Sequence, residues 1–187
     1  MEYLERNFAK EDYSGKDLSG NVYDNCEFTN CNFFEANLRE VDFIECTFID
    51  CNFSGVKLNE TGLKDVSFVA CKLLGFDFTR CKDFLLSFVF EKCILDYSVM
   101  QKKKIKKTIF KDCSIKEVDF SESDLSGAEF VNCDLSRSIF QRCILEKTDF
   151  RTARNFSIDL EKNKVRGAKF SSAGIAGLLD KYQLNIE

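Results

Sequence analysis

Large apolar side chains recur at every fifth position through most of the chain. The series starts at Tyr3 and runs in phase to Phe78, fails at Asp83, resumes two residues out of phase at Leu85, and ends at Phe150. About thirty positions fit this frame. A period of five matches neither the helical period of 3.6 nor the strand period of 2, so it indicates a repeated composite unit.

The residues around each large side chain define a short strand and a corner. If the large residue is position i, then position i−2 is mostly small, as at Cys26 and Ala36, and position i−1 is mostly polar. This alternation is that of a short strand. Positions i+1 and i+2 favour Ser, Thr, Asn and Gly, which are turn residues. Each unit of five therefore predicts one extended side followed by a corner.

The cysteine spacing indicates how many sides make one turn. Five cysteine pairs are 20 residues apart and one pair is 15 apart, and Leu18, Leu38 and Leu58 also step by 20. If like side chains stack on like, one turn has four sides. All ten cysteines fall on position i−2, where a free thiol acts as a small buried hydrophobe. Neighbouring turns would bring such cysteines within disulfide range, so a disulfide or metal site is the alternative to a structural role.

The composition indicates one globular domain of 187 residues, with 44% apolar and 31% charged residues. The first residues lack the basic-then-apolar order of a signal peptide, and no apolar run is long enough to span a membrane. We therefore expect a cytoplasmic protein with no membrane contact. Thiols stay reduced in that compartment, which favours free cysteines over disulfides.

Catalytic chemistry has little support in the sequence. The chain has no His, which excludes Ser-His and Cys-His nucleophilic sites and His-based zinc sites. No glycine-rich phosphate loop is present. Paired acids such as Asp119 and Glu122 fall on the outer surface of a rod with no evident cleft. We expect no enzyme activity, no metal and no cofactor.

The net charge of −4 is unevenly distributed. Residues 1–50 hold 12 acidic and 4 basic side chains, residues 101–150 hold 9 and 10, and residues 151–187 hold 4 and 7. Such an asymmetry concerns the partners of a protein rather than its fold. Because its N-terminal half is acidic, the chain is not expected to bind nucleic acid directly.

The repeat resembles the pentapeptide-repeat family, whose motif is roughly A(D/N)LXX. The chain shows it in "EANLRE", "GKDLSG" and "GAEFVN", and the resemblance covers residues 3 to about 153. It implies an all-β fold, a right-handed quadrilateral β-helix over residues 1–153 with a phase break near 79–84, and a C-terminal cap over residues 154–187. Asp83 cannot lie unpaired in an apolar interior, so we expect an outward bulge at the break.

The final segment has a different pattern. Ser171 or Ser172 is placed to cap a short helix, followed by an apolar stripe at helical spacing and then an alternation typical of a strand. One interpretation is an end cap of the coil, and the other is a two-fold dimer. A tail in this place resembles the Qnr and MfpA-like quinolone-resistance proteins, which implies a homodimer. The residues concerned are Ile175, Leu178, Leu179, Tyr182, Leu184 and Ile186.

The resemblance to Qnr/MfpA-like proteins also implies a function. It implies a non-catalytic DNA mimic that binds bacterial DNA gyrase or topoisomerase IV and protects it from quinolones or from a gyrase toxin. Surface carboxylates would then occupy basic surface that serves DNA phosphates. The candidate contacts are Asp17, Asp24, Glu27, Glu35, Glu40, Asp42, Glu45 and Asp50. The alternative is a repeat scaffold with an unrelated partner, because a fold alone implies no function.

The segment "MQKKKIKKTIF" keeps the frame but places Lys103 on an inward i−2 position. Because an unpaired charge is unstable in an apolar interior, we expect a local protrusion that carries Lys102, Lys103, Lys104, Lys106 and Lys107. Qnr-type relatives carry projecting loops, and this segment is the candidate for one. It could contact phosphate or an acidic protein surface, or it could be a solvated charge run that blunts an exposed edge.

Overall fold

The computed structural model describes residues 1–185 and shows short parallel strands stacked along one axis. Side 1 of the coil carries a four-stranded sheet of β1 (Glu2–Leu4), β3 (Val22–Asp24), β5 (Asp42–Ile44) and β7 (Gly62–Lys64). Side 2 carries a seven-stranded sheet of β2 (Asn7–Ala9), β4 (Glu27–Thr29), β6 (Thr47–Ile49), β8 (Val66–Val69), β9 (Phe88–Glu91), β10 (Ile109–Lys111) and β11 (Glu129–Val131). A 3-10 helix spans Phe78–Arg80, and two more span Ser172–Leu178 and Asp180–Tyr182.

On sides 3 and 4, successive turns are paired through single parallel bridges. Asp12 pairs with Asn32 on side 3, and Asp17 pairs with Asn37 on side 4. The strands of sides 1 and 2 keep the same offset up to the phase break, so that each residue pairs with the one four units further along the chain. Four units of five therefore make one turn, which confirms the predicted all-β quadrilateral coil.

Most sides end at a residue in the left-handed region of the backbone map. This residue is position i+2 of the unit, as at Glu35 (φ 55°), Glu45 (φ 51°) and Gly55 (φ 71°). A non-glycine residue is disfavoured there. The Asp or Asn at position i−1 supports the corner, as when the Asp17 carboxylate accepts a hydrogen bond from the Ser19 N–H at 3.0 Å. This local turn explains the D/N of the repeat motif.

The large residues at position i fill the interior as stacked columns. On side 2, the Phe28, Phe48 and Phe68 rings stack with centroids 4.8 and 5.2 Å apart, and each is at most 1% exposed. Rings on neighbouring sides meet edge to face, as Phe28 does with Phe33. Both geometries are the favourable ones for aromatic pairs. The predicted core frame is confirmed along these columns.

The i−2 positions lie at the inner corners of the coil. All ten cysteines are there, free and buried. The Cys46 thiol donates to the Tyr23 carbonyl at 3.3 Å, and the Thr61 hydroxyl donates to Leu38 in the same way at 2.8 Å. Burial raises the pKa of Cys46 and of Cys81 to about 12. Both therefore stay protonated at neutral pH and act as small packing groups.

The phase break inserts two residues on side 1. Thr61 pairs with Cys81, which keeps the offset of a regular turn. Val66 pairs with Phe88, whereas a regular turn would pair it with Leu86. The insertion therefore lies between Cys81 and Phe88.

The inserted segment projects from the coil. Asp83 is exposed, as expected of an outward bulge, and Phe84 is 81% exposed. Leu85 is 54% exposed, so the prediction that it resumes the core frame is wrong. Leu86 packs against the core instead, and full burial returns at Phe88. The five-residue frame fits Leu85 by spacing alone and cannot distinguish it from its neighbour.

Residues 100–110 follow the regular coil, so the prediction of a local protrusion there is wrong. Met100 and Ile105 are at most 1% exposed. Lys103 stays on its inward position, 5% exposed, because its ammonium group has two partners. It donates to the Cys81 carbonyl at 2.7 Å and to the Asp83 carboxylate at 2.6 Å. The bulge at the break thus supplies the counter-charge for the inward lysine.

Parallel pairing continues beyond residue 153. Lys169 bridges Asp149, and the Phe170 ring stacks on Phe150 with centroids 5.3 Å apart. Phe156 and Ile158 are buried, and the Phe156 ring contacts both Phe150 and Phe170. The coil therefore extends to Phe170.

The tail closes the end of the coil. The Ser171 hydroxyl accepts from the Gly174 N–H at 3.2 Å and caps the first 3-10 helix of the tail. Ile158 N–H donates to the Gly177 carbonyl at 2.9 Å, and Leu178 packs against the core. Within the described residues the tail contains two 3-10 helices where the sequence predicted one short helix, and the predicted strand-like stretch extends outside those residues at Ile186.

Candidate functional surfaces

The eight candidate acids lie around the whole rod rather than on one face. Asp24 and Asp42 belong to the side 1 strands β3 and β5, and Glu27 belongs to β4 on side 2. Asp17 forms a bridge on side 4. The remaining four, Glu35, Glu40, Glu45 and Asp50, occupy left-handed corner positions, one at each of the four corners. The sequence suggested one acidic face, whereas the coil presents these carboxylates in all directions.

Their carboxylates are largely uncompensated. Within residues 1–185, Asp42 is the one candidate acid in an ion pair, with its carboxylate 2.6 Å from the Lys82 ammonium group. The second half of the coil differs. Ion pairs there hold Glu91, Glu117, Glu122, Asp124, Asp134, Asp149, Asp159 and Glu161. Negative charge is therefore free mainly on the N-terminal half of the rod.

Turn hydrogen bonds keep one of these acids, Asp17, ionised. Hydrogen bonds from the Ser19 hydroxyl and backbone hold the pKa of Asp17 below its usual range. Asp17 also accepts from the Asn37 amide at 2.8 Å. A carboxylate of this kind stays charged at any physiological pH.

The lysine-rich segment forms side 1 of one regular turn, with four lysines outside and one inside. Lys102, Lys104, Lys106 and Lys107 are exposed. Lys106 lies 3.1 Å from Asp124, while Lys103 is the buried partner of Asp83. This turn lies directly beside the bulge, because Lys103 reaches it.

The sequence predicted the bulge but not the apolar side chains that it exposes. Phe84 and Leu85 project as large apolar side chains, and a groove lined by Leu86, Val89 and Lys107 runs beside them. The sequence does contain a signal for the supporting ion pair. Asp83 and Lys103 are separated by four units of five, which is the spacing of every stacked pair in the first half.

The tail presents apolar side chains at one end of the rod. Ile175, Tyr182 and Leu184 are 49%, 55% and 57% exposed. Leu178 and Leu179 are half-buried. Ile186 lies outside the described residues.

Sites for small ligands are little developed over residues 1–185. No group of three or more His, Cys, Asp or Glu side chains there is placed to hold a metal ion. Glu122 is occupied by Arg142 at 2.7 Å, and Asp119 accepts from Ser121 N–H at 2.8 Å. None of the helices in this range has the length and apolar character to cross a membrane.

Comparison with known proteins identifies the repeat. The family model described as a pentapeptide repeat region matches residues 23–84 and 85–155. The chain belongs to the pentapeptide-repeat family. A search of curated proteins finds no match.

One solved structure shares the fold of this chain. A trypsin-treated form of QnrB1, a plasmid-mediated fluoroquinolone resistance protein, aligns with a TM-score of 0.56 and 16% identity, over 100% of this chain and 98% of that one. Full-length QnrB1 aligns with a TM-score of 0.38 and 20% identity, over 98% of this chain and 100% of that one. HetL is a pentapeptide repeat protein involved in heterocyst differentiation regulation from the cyanobacterium Nostoc sp. strain PCC 7120. It aligns with a TM-score of 0.41 and 19% identity, over 90% of this chain and 86% of that one.

Proposed function

We propose that this pentapeptide-repeat protein is a non-catalytic rod that binds another protein through the carboxylates of its N-terminal half. The observation that carries the proposal is the contrast in ion pairing. Free carboxylates surround the first half of the rod, whereas those of the second half are largely paired. Unpaired surface charge attracts a partner of opposite sign and speeds its association.

The partner we propose is bacterial DNA gyrase or topoisomerase IV. These enzymes hold DNA on basic surface, and an acidic rod can occupy such surface as a DNA mimic. The resemblance to Qnr/MfpA-like proteins supports this choice, and its outcome would be protection from quinolones or from a gyrase toxin. The rod would act in the cytoplasm, where its target is found.

We further propose that the rod is a homodimer joined through its C-terminal end. Ile175, Tyr182 and Leu184 would supply the apolar contact, since they are exposed at the tip of the rod. A two-fold axis there would bury the same patch on both copies. Light scattering of the wild type against Ile175→Glu tests this contact, and a monomeric wild type overturns it.

A second candidate function is a scaffold for an unrelated partner. The even distribution of the acids around four sides favours it, because a DNA mimic needs carboxylates arranged along the path of phosphates. Asp17 lies on side 4, Glu27 on side 2 and Asp24 on side 1, so these three acids do not share one side of the rod. Under this function the carboxylates would serve solubility and general steering.

The supercoiling assay of purified gyrase with ciprofloxacin separates the two. The wild type is expected to restore supercoiling at micromolar concentration. The variant Glu27→Gln/Glu40→Gln/Asp50→Asn removes three free carboxylates and is expected to lose this effect.

The matched control removes three paired carboxylates, Glu91→Gln/Glu117→Gln/Glu122→Gln, and is expected to act as the wild type does. If the wild type neither rescues nor inhibits gyrase, the topoisomerase function is excluded and the scaffold function stands.

A further inference from the structure

Side 1 carries free charges of opposite sign on its two halves. Before the bulge, the acids of side 1 and its following corner without an ion-pair partner in the described chain are Glu2, Glu5, Asp24, Glu45 and Asp65. After the bulge, the corresponding free cations are Lys104, Lys107, Lys147, Lys164 and Arg166. Lys64 and Glu146 are the exceptions in sign on each half. The side is therefore negative towards the N-terminal end and positive towards the C-terminal end.

The bulge lies at the midpoint of this polarised side. Four levels of side 1 precede it, ending at β7, and four follow it, the first bridged by Lys104 and the last by Lys164. Phe84 at the centre is 81% exposed and Leu85 is 54% exposed. If a copy of side 1 is turned end to end, its apolar centre stays in place, while its acidic and basic halves exchange positions.

The bulge is held in place from both sides. The Ser87 hydroxyl donates to the Asp65 carboxylate at 2.7 Å, and Lys82 reaches Asp42 at 2.6 Å. Below them, Lys103 anchors Asp83 at 2.6 Å. These bonds reduce the freedom that Phe84 would lose on binding, and a large aromatic side chain on a fixed support is typical of a binding hot spot.

We propose that side 1 binds side 1 of a second copy of this chain, antiparallel, about a two-fold axis through the two bulges. In that arrangement the acidic half of each copy faces the basic half of the other. Phe84 and Leu85 of the two copies pack together at the centre. A two-fold contact is self-complementary by construction, and the reversal of sign along side 1 is the charge pattern it needs.

The size of the contact indicates its strength. Strands spaced about 4.8 Å apart give side 1 a length of about 40 Å, and about four extended residues give it a width of about 13 Å. The contact would bury about 1,000 Å² in total, at the lower limit of specific interfaces. The long lysine and glutamate side chains can span the gap that the bulges hold open. Such a contact is weak and sensitive to salt, because its flanks are exposed ion pairs.

This contact is separate from the proposed function and from the proposed contact at the tip. It leaves Asp17, Glu27, Glu35, Glu40 and Asp50 on the remaining sides and corners. It is therefore tested in the Ile175→Glu background, in which the tip cannot contribute, and by the mass of the protein alone.

The experiment is light scattering at tens of micromolar protein and two ionic strengths. The Ile175→Glu protein is expected to show twice the monomer mass at about 20 mM salt and the monomer mass at about 500 mM, where the screening length is only a few ångström. Adding Phe84→Ser/Leu85→Ser is expected to leave a monomer at both. A monomer at low salt before that addition overturns the proposal.

Charge exchange tests the antiparallel arrangement itself. Lys164→Glu/Arg166→Glu reverses the free charges of the last level of side 1, and Glu2→Lys/Glu5→Lys reverses those of the first level, which faces the last level of the other copy in the antiparallel arrangement. Each is expected to be monomeric alone, and an equimolar mixture is expected to form the dimer.

The matched control is Lys57→Glu/Lys72→Glu, which makes the same change of charge on sides 4 and 3 and is expected to dimerise as the parent does. Melting temperatures of all variants show that they are folded. Equal loss of dimer in the control, or no dimer in the mixture, overturns the arrangement.

Discussion

The Lys103 ammonium group is the one charge that the described chain buries. Its position in the repeat is one that elsewhere holds mostly small uncharged residues such as Cys, Ser, Thr, Ala and Val. The structure tolerates a lysine there because the inserted Asp83 comes within 2.6 Å and the Cys81 carbonyl within 2.7 Å. The inserted Asp83 and the inward Lys103 therefore depend on each other, and each would be destabilising without the other.

Removing one partner of this pair tests that dependence. Asp83→Ala leaves the buried ammonium group without its counter-ion and is expected to cost about 2 kcal/mol of unfolding free energy. In a Lys103→Met background the same change is expected to cost close to nothing, since the side chain is then apolar and of similar length. Urea denaturation of the four proteins gives the coupling. Equal costs in the two backgrounds would show that the pair is not coupled.

The corner aspartates make the stability of the fold depend on pH. Burial raises the pKa of Asp134, but hydrogen bonds from Ser136 and Asn155 outweigh it and lower the pKa to about 2. A lowered carboxyl pKa stabilises the fold above the unfolded pKa near 4, and this contribution is lost as the pH falls towards 2.

The variant Asp134→Asn keeps a turn-closing oxygen and loses the charge. Its melting temperature is expected to fall less steeply than that of the wild type between pH 5 and pH 2.5. The difference corresponds to on the order of 1 kcal/mol, because solvent screens this surface carboxylate. Parallel curves for the two proteins would count against the assigned pKa.

At the scale of the repeat unit, the aromatic columns hold successive turns together. Each turn contacts mainly its two neighbours, so stability resides in the stacking between turns. Phe48 stacks on Phe28 and on Phe68 and is fully buried. Its loss would open a cavity across three turns.

Phe48→Ala is therefore expected to destabilise the protein by about 3–5 kcal/mol. The control is Phe34→Ala, on a side chain that is 43% exposed, with an expected change within about 0.5 kcal/mol. Thermal and urea unfolding measure both. Similar losses for the two variants would contradict a core built on the i columns.

The repeat units could be predicted from the sequence wherever stacking places equal side chains one above another. Phe28, Phe48 and Phe68 recur at the period of one turn, so the period reveals the register. At the break, Leu85 satisfies the spacing but not the packing, since the two inserted residues shift the chain outward. Beyond Phe150, the column continues through Phe170 although the intervening units depart from the motif.

The candidate surfaces were less predictable because they depend on which side each residue occupies. The acidity of residues 1–50 is evident in the composition, but its distribution over four sides follows only from the corners. The polarity of side 1 combines residues as distant as Glu5 and Arg166, which share a side but no local sequence pattern. The spacing put Lys103 on an inward position, but its burial was not predicted, because the pairing with Asp83 across one turn was not recognised.

At the scale of the whole molecule, the rod has two electrostatically different halves. Free carboxylates dominate the first half, and ion pairs neutralise most of the second, as between Glu122 and Arg142 at 2.7 Å. A partner with basic surface would therefore meet the N-terminal half first. Its binding would weaken with salt, as expected for exposed charges.

Direct binding of the rod to purified, immobilised gyrase tests the central claim. Biolayer interferometry is expected to show binding of the wild type that weakens as the salt concentration rises. Glu27→Gln/Glu40→Gln/Asp50→Asn is expected to weaken it about tenfold, since three exposed carboxylates together contribute about 1 kcal/mol or slightly more. Glu91→Gln/Glu117→Gln/Glu122→Gln is expected to bind as the wild type does. No binding by the wild type, or equal weakening by both variants, would contradict the claim.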